Sequence, residues 1–444
     1  MQTNGVRPIR QWLATSALFI GLVLVSAMST LFLYGSGSWQ VATGLEASKL
    51  AQVEVSELVG TSEYSKPISF HPHTWLRALV QTTHMPFANP IAMLFNEFPT
   101  VSPTVSATTS QSQSSLFGSL SAWQTATQKI ALGWAPLTTP TATIQMIQQN
   151  PGITVISPSW LQVQNANGEI ANHSEASVVQ FAHSHHVQVW ALFDNRFDAS
   201  LTHQVLGNVK SRRALVDNVV TAAKIAHLDG INVDFENLLP EDQAAFTTFV
   251  AELHHVLQPL HITLSVDITP DIVFLKDNAA FFHAGLASVS DYVVLMAYDE
   301  HWSADQTPGP VADVPWVTNS VYDLLDTGVP ADKLIMGLPF YTRFWHIHAD
   351  GSVTSQAIAD ASVSSILAQH HATPKWIPTL DEAYARYPKS DGYEEVWYET
   401  TATLKQKLNL VSNQQLAGVA VWSLSLSDNQ TWHSIVDALR QALS

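Results

Sequence analysis

Eight short apolar segments, rich in β-branched and aromatic residues, alternate with segments of helical periodicity across residues 127–444. Between the third and fourth of them, apolar residues recur at helical spacing, at Leu215, Val219, Ala222, Ala223 and Ala226. Alternating strands and helices predict an α/β fold with a parallel sheet, and eight such units fit a (β/α)8 TIM barrel better than an open doubly wound sheet. The predicted strands are residues 130–137, 154–163, 187–193, 230–236, 262–268, 292–299, 334–341 and 418–424.

The interval between the seventh and eighth predicted strands, residues 342–417, is longer than a pair of loops and one helix require. It must also contain the last barrel helix, around residues 403–411. What remains predicts a small insertion, and therefore a shallow groove rather than a deep cleft at the carboxyl ends of the strands, where barrel active sites lie.

The N-terminal region contains an uncharged segment, residues 12–34, long enough to span the ~30 Å hydrocarbon core of a bilayer as a helix. Arg7 and Arg10 precede it and no basic residue follows before Lys49, which predicts a cytoplasmic N-terminus and an extracytoplasmic remainder. Small residues at Ala27-Met28-Ser29 leave a cleaved signal peptide as the alternative. The chain is therefore expected outside the cytoplasm, tethered by an N-terminal membrane anchor or secreted.

Four regions follow from these features: a cytoplasmic tip and anchor (1–38), a membrane-proximal segment without an assignable role (39–98), a linker (99–126) and the barrel (127–444). The linker is rich in Ser and Thr and has no charged residue, so it cannot bury enough apolar surface to fold alone. In the membrane-proximal segment, His71, His73 and His84 lack a further ligand nearby, which predicts surface histidines and no metal site.

Charge and composition exclude several classes of protein. The chain has 37 acidic and 20 basic residues, a net charge of -17, so it offers no basic surface for nucleic acid. It has no cysteine, which rules out disulfides, thiolate metal sites and cysteine nucleophiles. We expect a monomer without a cofactor.

The fourth predicted strand carries the most informative side chains. Its polar and apolar residues alternate, so Asn232, Asp234 and Glu236 share one face, which in a barrel points inward. Burying unpaired carboxylates costs several kcal/mol, so this arrangement needs a functional reason. Asp234 and Glu236 lie about 6.6 Å apart along the strand, with Glu236 nearest the barrel mouth. An ionised neighbour would keep Glu236 protonated as a general acid for glycosidic bond cleavage.

These residues belong to a recognisable pattern. DGINVDFE, residues 229–236, resembles the DGxxxDxE signature of glycoside hydrolase family 18, the chitinase family. MAYD, residues 296–299, resembles the family's MxYD, and Trp422 resembles the tryptophan of its eighth strand. The longer runs WALFDNRFD, DGINVDFENL, LMAYDEHWS and GLPFYTRFW are similar to the branch of bacterial spore and cell-wall peptidoglycan hydrolases.

The resemblance implies a retaining mechanism in which the substrate's 2-acetamido oxygen attacks the anomeric carbon. Glu236 would protonate the leaving oxygen and later activate water, and Asp234 would orient and stabilise the acetamido group. Tyr298 would hydrogen-bond its carbonyl, and Trp422 would form the apolar floor beneath the sugar. Other predicted substrate contacts are Asp229, Asn232, Met296, Asp299, Trp134, Asp194, Arg196, Tyr341 and Arg343.

Three points stay open from the residues alone. Asn232 stands where many chitinases have Asp, so a deeper carboxylate able to share the proton of Asp234 is expected to be missing. Asp194 and Arg196 could form a loop salt bridge instead of binding sugar, and Trp134 could be a core residue. The resemblance implies cleavage of β-1,4 bonds after N-acetylglucosamine in peptidoglycan. The alternatives are a chitinase and, less favoured because Glu236 is present, a non-catalytic carbohydrate-binding barrel.

Overall fold

The computed structural model describes residues 129–270 and 279–442. Within these residues, eight parallel strands form a closed barrel, because the first strand pairs with both the second and the last. A ninth, short strand extends the second one as an antiparallel hairpin. The barrel strands are β1 (Ile130–Ala135), β2 (Val155–Val163), β4 (Gln188–Asp194), β5 (Gly230–Asp234), β6 (Thr263–Ile268), β7 (Tyr292–Met296), β8 (Leu334–Pro339) and β14 (Gly418–Trp422), and the hairpin strand is β3 (Ile170–Asn172). All eight predicted strands are confirmed.

Helices connect the strands and cover the outside of the barrel. The described α-helices are α1 (Pro140–Gln149), α2 (Ala176–Ser184), α3 (Ala199–Gly207), α4 (Val209–Ala226), α5 (Gln243–Leu257), α6 (His283–Ser288), α7 (Val314–Asp326), α8 (Asp360–Gln369), α9 (Thr401–Asn413) and α10 (Asn429–Gln441). Short 3-10 turns occupy Pro240–Asp242, Gln258–Leu260, Ala331–Lys333 and Leu424–Leu426.

Helix α4 illustrates how the sequence defines these elements. The Asn208 side chain accepts hydrogen bonds from the backbone N–H groups of Lys210 and Ser211, which satisfies donors that the first turn leaves open. The apolar residues at helical spacing, including Leu215 and Val219, are buried against the sheet, as predicted. The helix ends at Ala226, and the next residue, His227, adopts a left-handed backbone conformation before β5 begins.

The outward face of β5 forms part of the core between sheet and helices. Ile231, Val233 and Phe235 are fully buried. The Phe235 ring stacks on Phe246 and Phe249 of α5, with ring centroids 5.8 and 5.5 Å apart. Because these apolar side chains fill the outer layer, the alternate residues of the strand must point into the barrel.

The insertion after β8 is larger than the sequence length predicts. Residues 341–398 form five antiparallel strands, β9 (Tyr341–His348), β10 (Val353–Ala359), β11 (Lys375–Ile377), β12 (Glu382–Lys389) and β13 (Gly392–Tyr398). They pair in the order β10-β9-β13-β12-β11, and α8 packs on the sheet. Antiparallel strands need only tight turns between them, so a short segment accommodates five. The sheet and α8 share a core of their own, which contains Phe344, Val363, Leu367, Ala385, Tyr387 and Val396.

The predictions for the N-terminal part of the chain fall outside the described residues. These are the anchor, the membrane-proximal segment with His71, His73 and His84, and the linker. Among the helices of residues 129–270 and 279–442, none is long and apolar enough to cross a bilayer. The membrane anchor and the orientation of the chain across the membrane therefore stay predictions from the sequence.

Candidate active site

The two predicted catalytic carboxylates lie at the carboxyl end of β5. Asp234 is the last residue of the strand, and Glu236 follows two residues later, so both reach the barrel mouth. They are only 7% and 8% exposed. The inward direction and burial of this pair agree with the alternation in the sequence.

A side chain that the sequence analysis missed holds Glu236 in place. The Asn195 side-chain amide, just beyond β4, donates to the Glu236 carbonyl oxygen at 2.7 Å, and the Glu236 backbone N–H donates to Asn195 Oδ1 at 3.1 Å. Asn195 is buried, so this reciprocal pair is shielded from water. Its position just after the third predicted strand could have indicated a residue of the site, because barrel active sites lie at the carboxyl ends of the strands.

Asn232 supports the site from below rather than lining it. Its side-chain oxygen accepts from Trp134 Nε1 at 2.7 Å and Ser157 Oγ at 3.0 Å. Its amide donates to Ser265 Oγ at 3.0 Å and Asp267 Oδ1 at 2.6 Å. Asn232 is 0% exposed, and these four bonds use the full capacity of its amide. The prediction that Asn232 contacts substrate is therefore corrected, and the bond from Trp134 makes that ring part of the barrel interior.

A deeper carboxylate is present after all, on the neighbouring strand. Asp267 of β6 lies beside Asp234, one residue beyond the paired Val233 and Val266. Burial raises the pKa of Asp267 well above its usual range, and the charge of Asp234 raises it further, while the hydrogen bond from Asn232 opposes the rise. The sequence analysis missed this residue, although Ser265 and Asp267 alternate with apolar residues as β5 does.

Asp234 itself has a strongly altered acidity. Burial, followed by the charge of Asp194 opposite it on β4, raises the pKa of Asp234 to about 7. Asp194 accepts hydrogen bonds from Gln162 Nε2 at 3.0 Å and from the Arg196 backbone N–H at 2.8 Å. Burial also raises the pKa of Asp194. Thus the backbone of Arg196, not an ion pair with its exposed side chain, accounts for the close contact with Asp194.

Aromatic side chains close the other side of the site. Tyr298, just after β7, packs edge-on against Trp134 with ring centroids 6.4 Å apart, and Trp422 lies 6.0 Å from Trp134. All three rings are buried, as is Met296 at the end of β7. Burial raises the pKa of Tyr298 well above its usual range, with further contributions from Tyr341 and nearby carboxylates. The phenol therefore remains a neutral hydrogen-bond donor.

Three buried polar atoms of this site, Asp234 Oδ1, Asp267 Oδ2 and the Tyr298 hydroxyl, make no hydrogen bond within the described residues. An unsatisfied buried polar atom costs about 1–3 kcal/mol, so a native protein retains it for a reason. The Tyr298 hydroxyl can donate, and Asp234 Oδ1 can accept.

Two of the remaining predicted substrate contacts, Tyr341 and Arg343, lie in the insertion sheet. Tyr341, at the start of β9, donates to Asp299 Oδ1 at 2.5 Å, which joins the insertion sheet to the loop after β7. Arg343 is buried within the insertion sheet and donates to Ser355 Oγ at 3.1 Å. Its role as a substrate contact stays a prediction.

Asp229 lies at the wrong end of the barrel for its predicted role. It precedes β5, whereas the site lies where β5 ends. Its Oδ2 accepts from the Val189 backbone N–H at 2.8 Å and lies 2.8 Å from His183 Nε2. The aspartate that begins the DG motif therefore positions the entry to the strand and does not contact substrate.

Among the described residues, no set of three metal ligands lies in this cleft. Within the described residues, the grouping of three or more potential metal ligands consists of His346, His348 and Asp391, in the insertion sheet.

Comparison with known proteins agrees with this architecture. The sequence model described as Glycosyl hydrolases family 18 matches residues 120–427. The chain is 28% identical over 281 residues to the uncharacterized glycosylase YvbX of Bacillus subtilis, covering 61% of this chain and 80% of that one. It is 24% identical over 301 residues to the cortical fragment-lytic enzyme of the same organism, covering 65% and 69%. The C-terminal domain of a putative chitinase from Desulfitobacterium hafniense shares the fold, with a TM-score of 0.65, 22% identity, and coverage of 71% and 100%.

Proposed function

We propose, from the premise that this chain belongs to family 18 of the glycosyl hydrolases, that it cleaves β-1,4 bonds after N-acetylglucosamine by substrate-assisted catalysis, in peptidoglycan. Membership in the family makes the chain a glycoside hydrolase. The linkage, the mechanism and the glycan belong to the proposal.

The observation that carries the mechanism is that Asp234 Oδ1 and the Tyr298 hydroxyl, two polar atoms of the site, have no hydrogen-bond partner among the described residues. An acetamido group has one N–H donor and one carbonyl acceptor. Asp234 Oδ1 can accept from that N–H, and the Tyr298 hydroxyl can donate to that carbonyl oxygen. Holding the group at both ends would orient its oxygen for attack on the anomeric carbon.

Glu236 is positioned for the proton transfers. It lies beyond Asp234 along the chain and nearer the mouth, with its backbone held by Asn195. Its carboxyl group would first protonate the leaving glycosidic oxygen and then take a proton from the water that opens the cyclic intermediate. The positive charge of that intermediate would be stabilised by Asp234, which gives up its own proton readily near neutral pH because its pKa is about 7.

Two substrates remain candidates. A relative named cortical fragment-lytic enzyme supports a cell-wall glycan. Chitin oligomers are the second candidate, because the insertion contains a five-stranded sheet joined to the site through Tyr341 and Asp299. A wall of that size weakens the expectation of a shallow groove open to peptide-bearing sugars.

We further propose that the enzyme acts outside the cytoplasm. Support comes from the uncharged residues 12–34 and the basic residues before them. Protease added to intact cells should then release an active fragment by cutting within residues 99–126. Complete protection of the chain would contradict this placement.

The test of catalysis compares Glu236→Gln with Glu241→Gln, a control that changes an exposed glutamate of the same loop. The first variant should lose several orders of magnitude in kcat while still binding glycan, because it keeps the shape and loses the proton. The control should match wild type. A Glu236→Gln variant with a tenth of the wild-type rate would exclude Glu236 as the acid.

Product analysis tests the mechanism and the glycan. Proton NMR should show a first product of retained anomeric configuration, and fully deacetylated oligomers should not be cleaved. Mass spectrometry of digested peptidoglycan should find N-acetylglucosamine at the new reducing ends. If chitin oligomers are cleaved at least tenfold faster by kcat/KM, about 1.4 kcal/mol in transition-state binding, the glycan assignment moves to chitin.

A further inference from the structure

The edge of the insertion sheet holds a compact group of nitrogen and oxygen donors. His346 and His348 lie at the end of β9, and Asp391 lies in the turn between β12 and β13. One donor atom from each residue lies within 4.8 Å of the others. Asp391 Oδ1 is 3.0 Å from His346 Nε2, and Asp391 Oδ2 is 2.9 Å from His348 Nδ1.

The backbone builds this group from two directions. Residues two apart on a strand point to the same face, so the two imidazoles lie side by side, with ring centroids 4.1 Å apart and planes within 16°. Gly392 places Asp391 beside them. Its φ is +151°, and a Cβ there would lie 2.0 Å from the Ile347 carbonyl oxygen, so a residue with a side chain does not fit this turn.

Each histidine directs one nitrogen to Asp391 and the other to an outer partner. His348 Nε2 lies 3.0 Å from Thr354 Oγ1, and His346 Nδ1 lies 3.8 Å from Glu394 Oε1. Glu394 is itself held by Lys389 at 3.1 Å and by the Tyr387 hydroxyl. Metal-binding histidines characteristically have an oxygen acceptor on the second ring nitrogen, because it fixes the tautomer and the ring orientation. Thr354 lies within hydrogen-bond distance of His348, whereas the 3.8 Å between His346 and Glu394 is an electrostatic contact.

The donor separations suit a small divalent ion. Ligand atoms about 2.0–2.1 Å from a tetrahedral ion lie about 3.3 Å from each other. The three ligand atoms lie within 4.8 Å of one another, and the 2.9 and 3.0 Å pairs join the two histidines to different oxygens of Asp391. Because an imidazole lone pair lies in the ring plane and the two rings are stacked, one ring has to turn out of the stack to share an ion. Asp391 is 56% exposed, which leaves room for water at a further coordination position.

We propose that His346, His348 and Asp391 bind one divalent transition-metal ion of the Zn²⁺ type, which cross-links the end of β9 to the β12–β13 turn. Two neutral imidazoles and one carboxylate suit Zn²⁺ or Co²⁺ and do not suit Ca²⁺ or Mg²⁺, which prefer oxygen ligands. The ion has a structural role. β9 runs from Tyr341 beside the active site to His348, so the ion lies about 23 Å along the strand from that contact.

Calorimetric titration of the full chain with Zn²⁺, together with visible spectra of the Co²⁺ form, tests the proposal. Wild type should bind one equivalent at this site with micromolar affinity or better, and Co²⁺ should give the d–d bands of a low-coordinate site. Asp391→Asn and His348→Gln should each lose that equivalent or weaken it at least about tenfold. Glu394→Gln should weaken it about tenfold while leaving all three ligands in place.

The matched control is His203→Gln. His203 also contacts a carboxylate, Asp242, at 2.7 Å, but lies outside the group. This variant should bind Zn²⁺ as wild type does. All variants should retain wild-type glycosidase activity, which shows that they are folded. Binding that is weaker than millimolar in wild type, or equal in wild type, Asp391→Asn and His348→Gln, would overturn the proposal.

Discussion

Replacing Asp234 by Asn should make the protein inactive and, above neutral pH, more stable. Burial and the charge of Asp194 raise the pKa of Asp234 from its ordinary 3.8 to about 7. Between these two values the folded chain holds a proton that the unfolded chain releases. The free energy of unfolding therefore falls as the pH rises from about 4 to about 7.

The size of the effect follows from the same values. Each pH unit between the folded and unfolded pKa corresponds to about 1.4 kcal/mol, so the ionised carboxylate destabilises the folded chain by about 4 kcal/mol at pH 8. Asparagine has the same shape and no charge. The Asp234→Asn variant should thus exceed wild type in unfolding free energy by up to about 4 kcal/mol at pH 8, and by almost nothing at pH 4.

Urea unfolding of both proteins at pH 4.5, 6 and 8 measures this difference. Carboxylates that titrate equally in both proteins cancel, so only the gap between the curves matters. Asp217→Asn, which removes an exposed carboxylate from α4, controls for the change in net charge and should show no such gap. An Asp234→Asn variant no more stable than wild type at pH 8, or a gap independent of pH, would refute the reasoning.

Two further substitutions separate function from stability elsewhere in the structure. Tyr298→Phe should lower kcat about 10²–10³-fold without loss of thermal stability, because the buried hydroxyl has no protein partner to lose; a fall in melting temperature would show a structural role. Lys407→Met should destabilise the chain by about 3–5 kcal/mol in urea unfolding, because the buried Nζ lies 2.5 Å from Glu399 Oε2 and 4.0 Å from Glu382 Oε2. The control is Lys405→Met, an exposed position on the same helix, and equal losses in the two variants would contradict this view.

The barrel was predictable because its strands are encoded locally. Each is a continuous apolar segment between helical segments, and a parallel strand covered on both faces has that pattern wherever it occurs. Predicted and observed limits therefore differ by only a few residues, as at 230–236 against Gly230–Asp234. The insertion was underestimated because its strands mix polar and apolar residues and lack the continuous apolar segments of the barrel strands, as in GYEEVWY of β13.

The active site was predictable where one strand supplies it and less so where several strands meet. Asp234 and Glu236 share β5, so their shared face follows from alternation alone. Asp267 and Asn195 come from neighbouring elements, and only the closed barrel brings them to β5. Asp229 shows the opposite limit, since membership in a motif does not distinguish a residue that begins a strand from one at its catalytic end.

The same limit explains the His346–His348–Asp391 group. The H-x-H pair is visible in the sequence, but Asp391 is 43 residues beyond His348 and reaches it only through the β12–β13 turn. Local periodicity does not reveal which strands pair when they are far apart in the sequence, so it could not place Asp391 beside the two histidines.

An ion pair and a hydrogen bond, in addition to packing, attach the insertion sheet to the barrel. Lys407 of α9 lies beside Glu382 at the start of β12 and Glu399 just after β13. Burial raises the pKa of Glu382 to about 10, and burial also raises the pKa of Asp360 at the start of α8. Glu382 thus stays protonated at neutral pH, and Lys407 forms its ion pair with Glu399. Tyr341, which lines the same small cavity as Lys407 and Glu382, donates a hydrogen bond to Asp299 in the loop after β7. Because Lys407 is buried and both contacts are partly shielded from water, moving the sheet away from the cleft would expose the Lys407 charge or break the Tyr341–Asp299 hydrogen bond. We therefore expect the insertion to act as a fixed wall that selects glycans by shape rather than as a lid that closes over them.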